Sequence, residues 1–471
     1  MSNVDVSTHA QTNKAGRTGE IEIERIMLID RYGDDLDITL MLAEMNLYGD
    51  LTSPFHTGSI LVNDNQGLLY GLPLNGEETI LISVKSSSFQ TDETISKAYK
   101  VFSISNILTT AEGATATYEL QLLSLAGFIS NLVRLKKRYS GNSTELVLNI
   151  VDQYIYTPYK DMVKNMPEDV KATTKMFDDF FNYNHQPSIN NLSFVASNWT
   201  PGYAINWITA RALGDTPNET GKESAGYVFT EGLTSLKYST LEEMYFEGRI
   251  RASPFYDNMS VFRFNYAPAS MSKDPTKNYR SIISFTPSKY LNHLDAHKAG
   301  VIANQLETYD VLTKRYRKQQ FDWVEKHKEY ARLEDYENRG GIHYPAVGKH
   351  TSFFSPEVCR SYDAKTFSVV THNQLFNDFA GYEPERVAQQ RNYQFGIFNQ
   401  MTFNVTIYGK LDIEQGSVVH FDFPMNQVNP DTGAEYISGY FIVLAVRHKI
   451  TLADHYTYLE VAKDSTRVQM A

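Results

Sequence analysis

The sequence predicts a β-rich α+β chain in which two related β-domains flank a larger mixed α/β domain that is also inserted into the second of them. Three observations predict it. Short alternating segments fill residues 21–127, helical periodicity takes over after Gly127, and from residue 386 the chain returns to strands that echo the first set.

In the first region Asp37–Gly49, Thr79–Lys85, Tyr99–Ile107 and Ala116–Ser124 alternate apolar and polar residues with the period of two that a half-buried strand needs. Gly58, Asn75-Gly76 and Glu112-Gly113 read as the turns between strands. Residues 1–20 are polar and lack any apolar stretch, so they read as a flexible arm and not as a secretory signal. Residues 21–127 are the first β-domain.

The period then changes. Leu125–Tyr139 places Phe128, Leu132 and Leu135 at helical spacing, and Ser143–Ile155 opens on a capping residue. Thr200–Leu213 has Thr200 to cap it, Pro201 for its first turn and Gly214 to end it. Ala225–Gly232 and Ser235–Met244 read as a hairpin and turn, whereas Lys164–Asn191 and Arg339–Asn373 read as long loops. Residues 128–290 together with 326–385 make the mixed domain, with 326–385 expected on the outside because an inserted loop leaves from a surface.

The informative feature is a repeat. Gly76, Tyr99 and Tyr118 each mark a strand in the first β-domain, at separations of 23 and 19 residues. Gly416, Tyr440 and Tyr458 do the same near the C-terminus, at separations of 24 and 18. Upstream, Ala43–Thr52 matches Asn304–Thr313, with Tyr48, Leu51 and Thr52 opposite Tyr309, Leu312 and Thr313. One β-fold used twice accounts for this, the second copy spanning 291–325 plus 386–465 and leaving 466–471 as a tail. Three copies of such a chain would set six similar units around an axis.

Composition narrows the function. The 471 residues carry a net charge of −11 and are 42% hydrophobic and 21% charged, which suits a globular chain and argues against a dedicated nucleic-acid binder. Cys359 is the only cysteine, so no disulfide within the chain supports the fold. No run is long and apolar enough for a membrane helix. The 31 tyrosines suit surfaces that become buried in assemblies. Motifs of chemistry fail on spacing. His293 and His297 lack the glutamate a zinc-protease helix needs, and Gly340, Gly341, Gly348 and Lys349, followed by His350, miss the spacing of a phosphate loop. The basic run Leu135–Arg138 reads as a solvated helix end, and Lys314, Arg315, Arg317 and Lys318, split across both faces of a strand, read as a solvated edge or an interface. No catalytic, cofactor-binding or metal residue is assigned, and an enzyme is not expected.

Leu47–Asp50 with the strand at Asn75–Val84, Asn198–Ala212 with the Tyr227–Met244 segment, Glu385–Pro424, and Tyr440–Lys463 together resemble the central baseplate hub proteins of contractile-tailed phages. The resemblance covers most of the chain outside the arm and residues 326–385. It implies tail-tube-like β-barrel or sandwich domains, a homotrimer forming a pseudo-sixfold ring, and a place in the virion tail baseplate after assembly in the host cytoplasm. It further implies as partners a central spike protein, tail-tube or tube-initiator proteins and baseplate wedge proteins. DNA would pass without specific binding, and no membrane insertion is implied. Family members are typically shorter, which makes the arm and 326–385 additions. Two alternatives remain at the level of sequence: the hub of a phage-like bacteriocin or injection particle, and, from a different class, a carbohydrate-active tail enzyme.

Overall fold

The computed structural model describes residues 19–466 apart from 20, 31–32, 72–73, 75, 87–93, 110–114, 165, 216–222, 253–261, 267–279, 291–294, 296–297, 302, 312, 323–329, 331, 334–341, 344–364, 371–383, 399–400 and 424–436. The fold is mostly β and contains a closed six-stranded barrel.

The first β-unit comprises β1 (Ile21–Ile29), β2 (Leu42–Asp50), β3 (Thr57–Asp64), β4 (Thr79–Ser86), β5 (Thr94–Thr109) and β6 (Ala116–Ser124). They run β1-β4-β5-β6-β3-β2, antiparallel at every step. Between β1 and β2 a 3-10 turn, Thr39–Met41, bridges the gap, with Ile26 N donating to Thr39 Oγ1 at 2.8 Å. Ile26, Leu28, Ile80, Ile82, Val84, Tyr99 and Val101 fill the interior. The alternate residues Met27, Ile29, Leu81 and Ala98 face the neighbouring domain's core. Burial on both faces is why Arg25–Ile29 reads as a continuous apolar run after its arginine. Gly58, expected as a turn, lies inside β3. A Cβ there would sit 2.9 Å from the Asn46 carbonyl oxygen, so the glycine serves close strand approach.

The middle domain contains α1 (Leu125–Leu132), β7 (Arg138–Asn142), α2 (Ser143–Val151), α3 (Thr157–Val163), α4 (Lys175–Asn182), β8 (Asn191–Val195), α5 (Pro201–Thr209), the hairpin β9 (Tyr227–Glu231) and β10 (Leu236–Thr240), and α6 (Leu241–Ala252). The helix expected to reach Tyr139 stops at Leu132. Val133 turns extended, and Leu135 pairs its backbone with Trp199 while its side chain is buried. The basic run after it is solvated as expected, but it leads into β7 and does not end a helix. Asn142, and not Ser143, caps α2 by accepting from Thr144 N at 3.0 Å. Thr200 caps α5 with Pro201 in its first turn, as the sequence indicates. The helix ends at Thr209, before Gly214. The expected loop at 164–191 contains α4, whose Phe177 and Phe180 are fully buried among aromatic rings.

Beyond α6 come β11 (Arg263–Tyr266), β12 (Ser281–Tyr290), a side sheet of β13 (Ala303–Asp310), β14 (Arg315–Asp322) and β15 (Lys365–Val370), then α7 (Pro384–Ile397). The chain closes with β16 (Met401–Tyr408), β17 (Val418–Asp422), β18 (Gly439–Ile450) and β19 (His455–Ala462). Strands β18-β17-β11-β12-β16-β19 form a ring that β19 closes on β18. Its interior is aromatic, with Phe264, Phe403, Phe421, Phe423 and Phe441 in mutual ring contact where the first unit uses mainly aliphatic residues.

The two units share the order β4-β5-β6-β3-β2 and β17-β18-β19-β16-β12. Register agrees as well. Tyr99 lies opposite Ile80, four residues after Gly76, and Tyr440 lies opposite His420, four after Gly416. Both glycines take positive φ, 87° and 81°. A bulge between Val101 and Ser103 answers one between Val443 and Ala445, and on either side Val101↔Leu122 and Ile104↔Leu120 match Ile442↔Ala462 and Ala445↔Glu460.

One expected match is corrected. Asn304–Thr313 does not enter the second barrel. Residues 303–310 form β13, which pairs β14 and β15 in the separate side sheet. The counterpart of β2 is β12: Tyr48 lies opposite Thr57 and Tyr290 opposite Met401 at the same rung. Tyr, Leu and Thr at matching intervals carry too little information to distinguish two short strands, whereas ladder register does. The slot of β1 is taken by β11, which runs parallel to both neighbours. Most of 326–385, including Cys359, lies outside the described residues, as does nearly all of the arm.

Candidate assembly site

The two barrels meet edge to edge. Met45–Asp50 of β2 pairs antiparallel with Ala445–Ile450 of β18, joining both units into one thirteen-stranded sheet. Leu51 N donates to the Leu444 carbonyl at 2.8 Å, which sets the parity: the amides of Met45, Leu47 and Gly49 point across the seam. Ile450 belongs to the same buried cluster as Met45 and Leu47, so the core is continuous across the joint. At the rim, Lys449 Nζ lies 2.8 Å from Glu44 Oε2 and Arg447 Nε donates to Asn46 at 2.9 Å.

A buried polar clamp ties this joint to the middle domain. Lys97 Nζ of β5 sits 2.9 Å from Glu231 Oε1, with both side chains at most 5% exposed. Glu231 Oε2 accepts from Ser124 Oγ at 2.5 Å and from His56 N at 3.2 Å. Tyr99 Oη and His56 Nδ1 are 2.9 Å apart. From the second barrel, Gln415 Nε2 donates to the Glu231 carbonyl at 2.7 Å, and Glu414 accepts from Leu233 N at 2.7 Å and Ser235 Oγ at 2.8 Å. The β9–β10 turn is thus held by both barrels at once. Burial, together with the positive charge of Lys97, holds the His56 imidazole well below its usual range, keeping it neutral.

A second clamp binds α7. Arg391 Nη1 donates to the carbonyls of Ala225 and Tyr227 at 3.1 and 2.7 Å, and Gln394 reaches Glu242, which also accepts from Ser224. Burial pushes the Glu242 carboxyl up to about 7. In the second barrel His448 and His455 face each other at 3.3 Å, and burial takes His448 down to about 4.

Of the residues the sequence singled out, His293, His297, Gly340, Gly341, Gly348, Lys349, His350 and Cys359 lie outside the described residues. Arg315, Arg317 and Lys318 are exposed on β14, an edge strand, as read from alternation, and Lys314 sits in the turn before it with φ 55°. Among the described residues no three His, Cys, Asp or Glu side chains converge as a metal site, and no helix is long and apolar enough to cross a membrane. Lys97, Glu231 and Glu414 were not legible in advance. Each is an ordinary charged residue in sequence, and only the fold brings them together.

The arrangement defines a protein of paired barrels with buried polar joints, similar in fold to phage-tail and type VI secretion proteins. In particular, the chain is similar to the tail protein from Neisseria meningitidis MC58, at 10% identity and a TM-score of 0.47 over 93% of this chain and 96% of that one. The 43 kDa tail protein of prophage MuSo2 from Shewanella oneidensis gives 9% identity and a TM-score of 0.46 over 93% and 98%. A chain of the Francisella PdpA–VgrG complex gives 9% and 0.42 over 94% of this chain and 58% of that one. No family model and no curated protein matches the chain.

Proposed function

We propose that this chain is the hub subunit of a contractile phage-tail baseplate, three copies of which close a ring of six barrels between the tail tube and the central spike. The observation that carries the reading is the internal repeat: five strands in the same order and register occur twice, already joined edge to edge as neighbours in a ring would be. A threefold assembly of such chains presents six similar positions to a sixfold tube and three equivalent ones to a spike. The net charge of −11 favours a neutral to acidic channel, past which DNA slides without the counterion release that would hold it. Wedge proteins are the expected neighbours of the outer surface. The role is structural and involves no catalytic step.

Mass photometry of the purified chain followed by cryo-EM of the particle tests this. The expected result is a ring of three chains with barrels alternating around a channel wide enough for duplex DNA. A monomer or closed dimer in the intact particle, or a channel lined by lysine and arginine, would overturn it.

A further inference from the structure

Four neighbouring strands meet at the seam, β2, β18, β19 and β16, and their registers set the outward side chains in rows. One row reads Tyr48, Arg447, Tyr458 and Thr406, and the next reads Asp50, Ala445, Glu460 and Asn404. The inward alternates Leu47, Val446, Leu459 and Val405 are buried in the two barrel cores. Ala445 is the smallest of the outward side chains, so the surface dips there. The dip is a cleft of about 480 Å³ walled by Tyr48, Tyr458, Asp50, Glu460 and Phe55.

The charge of this cleft is unbalanced. Asp50 and Glu460 flank Ala445 from either side, two strand spacings or about 10 Å apart at the backbone. Asp50 accepts from Thr52 N at 2.7 Å and from Thr52 Oγ1 at 2.5 Å, both on Oδ1. Among the described residues no cation pairs with either carboxylate. Arg447, the one cation of the lining, is engaged elsewhere: its Nε donates to Asn46, and its Nη2 lies 3.5 Å from Glu44. Tyr48 and Tyr458 flank that guanidinium and are still 38% and 37% exposed, so open ring surface borders the two carboxylates.

The chain itself carries the complement. Lys314, Arg315, Arg317 and Lys318 put four cations into five positions at the start of β14, and every residue from 313 to 320 is exposed, so both faces of the strand are open. Among the described residues none of the four has an ion-pair partner. Arg315 and Arg317 share a face, about 7 Å apart.

We propose that the Arg315 and Arg317 face of β14 in one copy docks on the cleft of another, with a guanidinium over Ala445 between Asp50 and Glu460. A planar guanidinium meets carboxylates through paired N–H groups and stacks on tyrosine rings, which suits this lining better than a compact ammonium. Asp50 belongs to the first barrel and Glu460 to the second, so the contact straps the seam of one copy with a strand of the next.

The inference rests on the hub reading, and the experiment separates the two. The full chain is followed by mass photometry and sedimentation at about 0.05 M salt, where exposed charges are little screened. Asp50→Lys with Glu460→Lys should weaken association of copies by about tenfold or more, and so should Arg315→Glu with Arg317→Glu, because like charges then face each other. All four changes in one chain should restore association to within about threefold of wild type. Glu460→Lys alone, whose side chain makes no hydrogen bond among the described residues, carries the test if the turn at Asp50 fails to form, and urea midpoints check that each variant folds. Trimers of undiminished affinity in both reversals, or reversals that the combined chain does not rescue, overturn the docking and leave the hub reading standing. Reversals that spare association of copies but block joining of a tube or spike protein assign the cleft to that partner and also overturn it. A chain that stays monomeric in the intact particle overturns both readings.

Discussion

The first and second barrels carry the same five-strand ladder with the same bulge, yet they differ in how each is completed. The second closes on itself through β11, a four-residue strand parallel to both neighbours, and packs its interior with phenylalanine. Among the described residues the first has no strand pairing between β1 and β2; it has an aliphatic interior and shares its outer face with the middle domain. The second shares an outer face as well, packing Val418, Tyr440, Ile442 and Ala462 with Val228, Leu241, Met244 and Tyr245, so the difference lies in ring closure, and the first leans on its neighbours where the second has a strand.

The largest expected effect tests that dependence. Glu231→Ala strands Lys97 in a buried site and should cost about 3–5 kcal/mol of unfolding free energy, measured by urea denaturation. Lys97→Met with Glu231→Leu should recover much of the loss, since an apolar pair of similar size needs no desolvation. A Glu231→Ala chain as stable as wild type would show that the first barrel stands without the clamp.

Acid is the next probe, and it acts on both units, since His56 beside Tyr99 is also held neutral by burial. His448 is held at about 4 in the fold against an ordinary 6.5, so its contribution is complete above 6.5 and is lost as pH falls from 6.5 towards 4, roughly 3 kcal/mol in all. Its first-barrel equivalent is Leu108, which does not titrate. Glu242, raised from 4.5 to about 7, acts in the opposite sense: its protonated form fits the buried site, so stability falls as pH rises between 4.5 and 7. The two slopes oppose each other where they overlap. Glu242→Gln should steepen the rise in stability from pH 4 to 6.5, and His448→Leu should flatten it without reversing it, because burial also holds His56 and His455 well below 6.5, both read from melting temperature against pH. Parallel curves for the two variants would contradict the assignment.

A smaller effect probes strand spacing. Gly58 and Thr402 occupy the same rung of β3 and β16, opposite Leu47 and Lys289. Gly58→Ala drives a methyl against the Asn46 carbonyl and should cost about 1–3 kcal/mol, while Thr402→Ser, which keeps the hydroxyl that donates to the Phe398 carbonyl, should cost no more than about 1. Equal losses would mean that the two β-units are spaced alike.

What the sequence disclosed follows from what alternation can encode. Strands marked by Gly76, Tyr99 and Tyr118 and by Gly416, Tyr440 and Tyr458 were legible because a positive-φ glycine and, at Tyr99, Tyr118 and Tyr440, a buried tyrosine are local requirements, whereas Tyr458 is exposed and keeps only the spacing. The β2 counterpart was misplaced because Asn304–Thr313 has the same alternation as Leu42–Asp50, and pairing partners far apart in the chain leave no local mark. The strand that does fill the slot, Ser281–Tyr290, carries a proline and four consecutive exposed residues before Tyr290, which obscure its period. The clamp at Lys97 and Glu231 was illegible because its members are 134 residues apart and individually unremarkable.

The smallest effect concerns the rim of the seam where the two units meet. The internal seam has an ionic rim: Lys449 beside Glu44 at 2.8 Å and Arg447 at 3.5 Å, with all three side chains partly exposed. Lys449 draws the Glu44 carboxyl below its usual range. Pairs so open to solvent contribute about 0.2–1 kcal/mol and are screened by salt. Glu44→Gln should therefore lower stability by that amount at low ionic strength and by almost nothing at 1 M salt. Urea denaturation of wild type and Glu44→Gln at 0.05 and 1 M salt checks this: a difference between the two chains that survives at 1 M salt belongs to something other than the ionic rim.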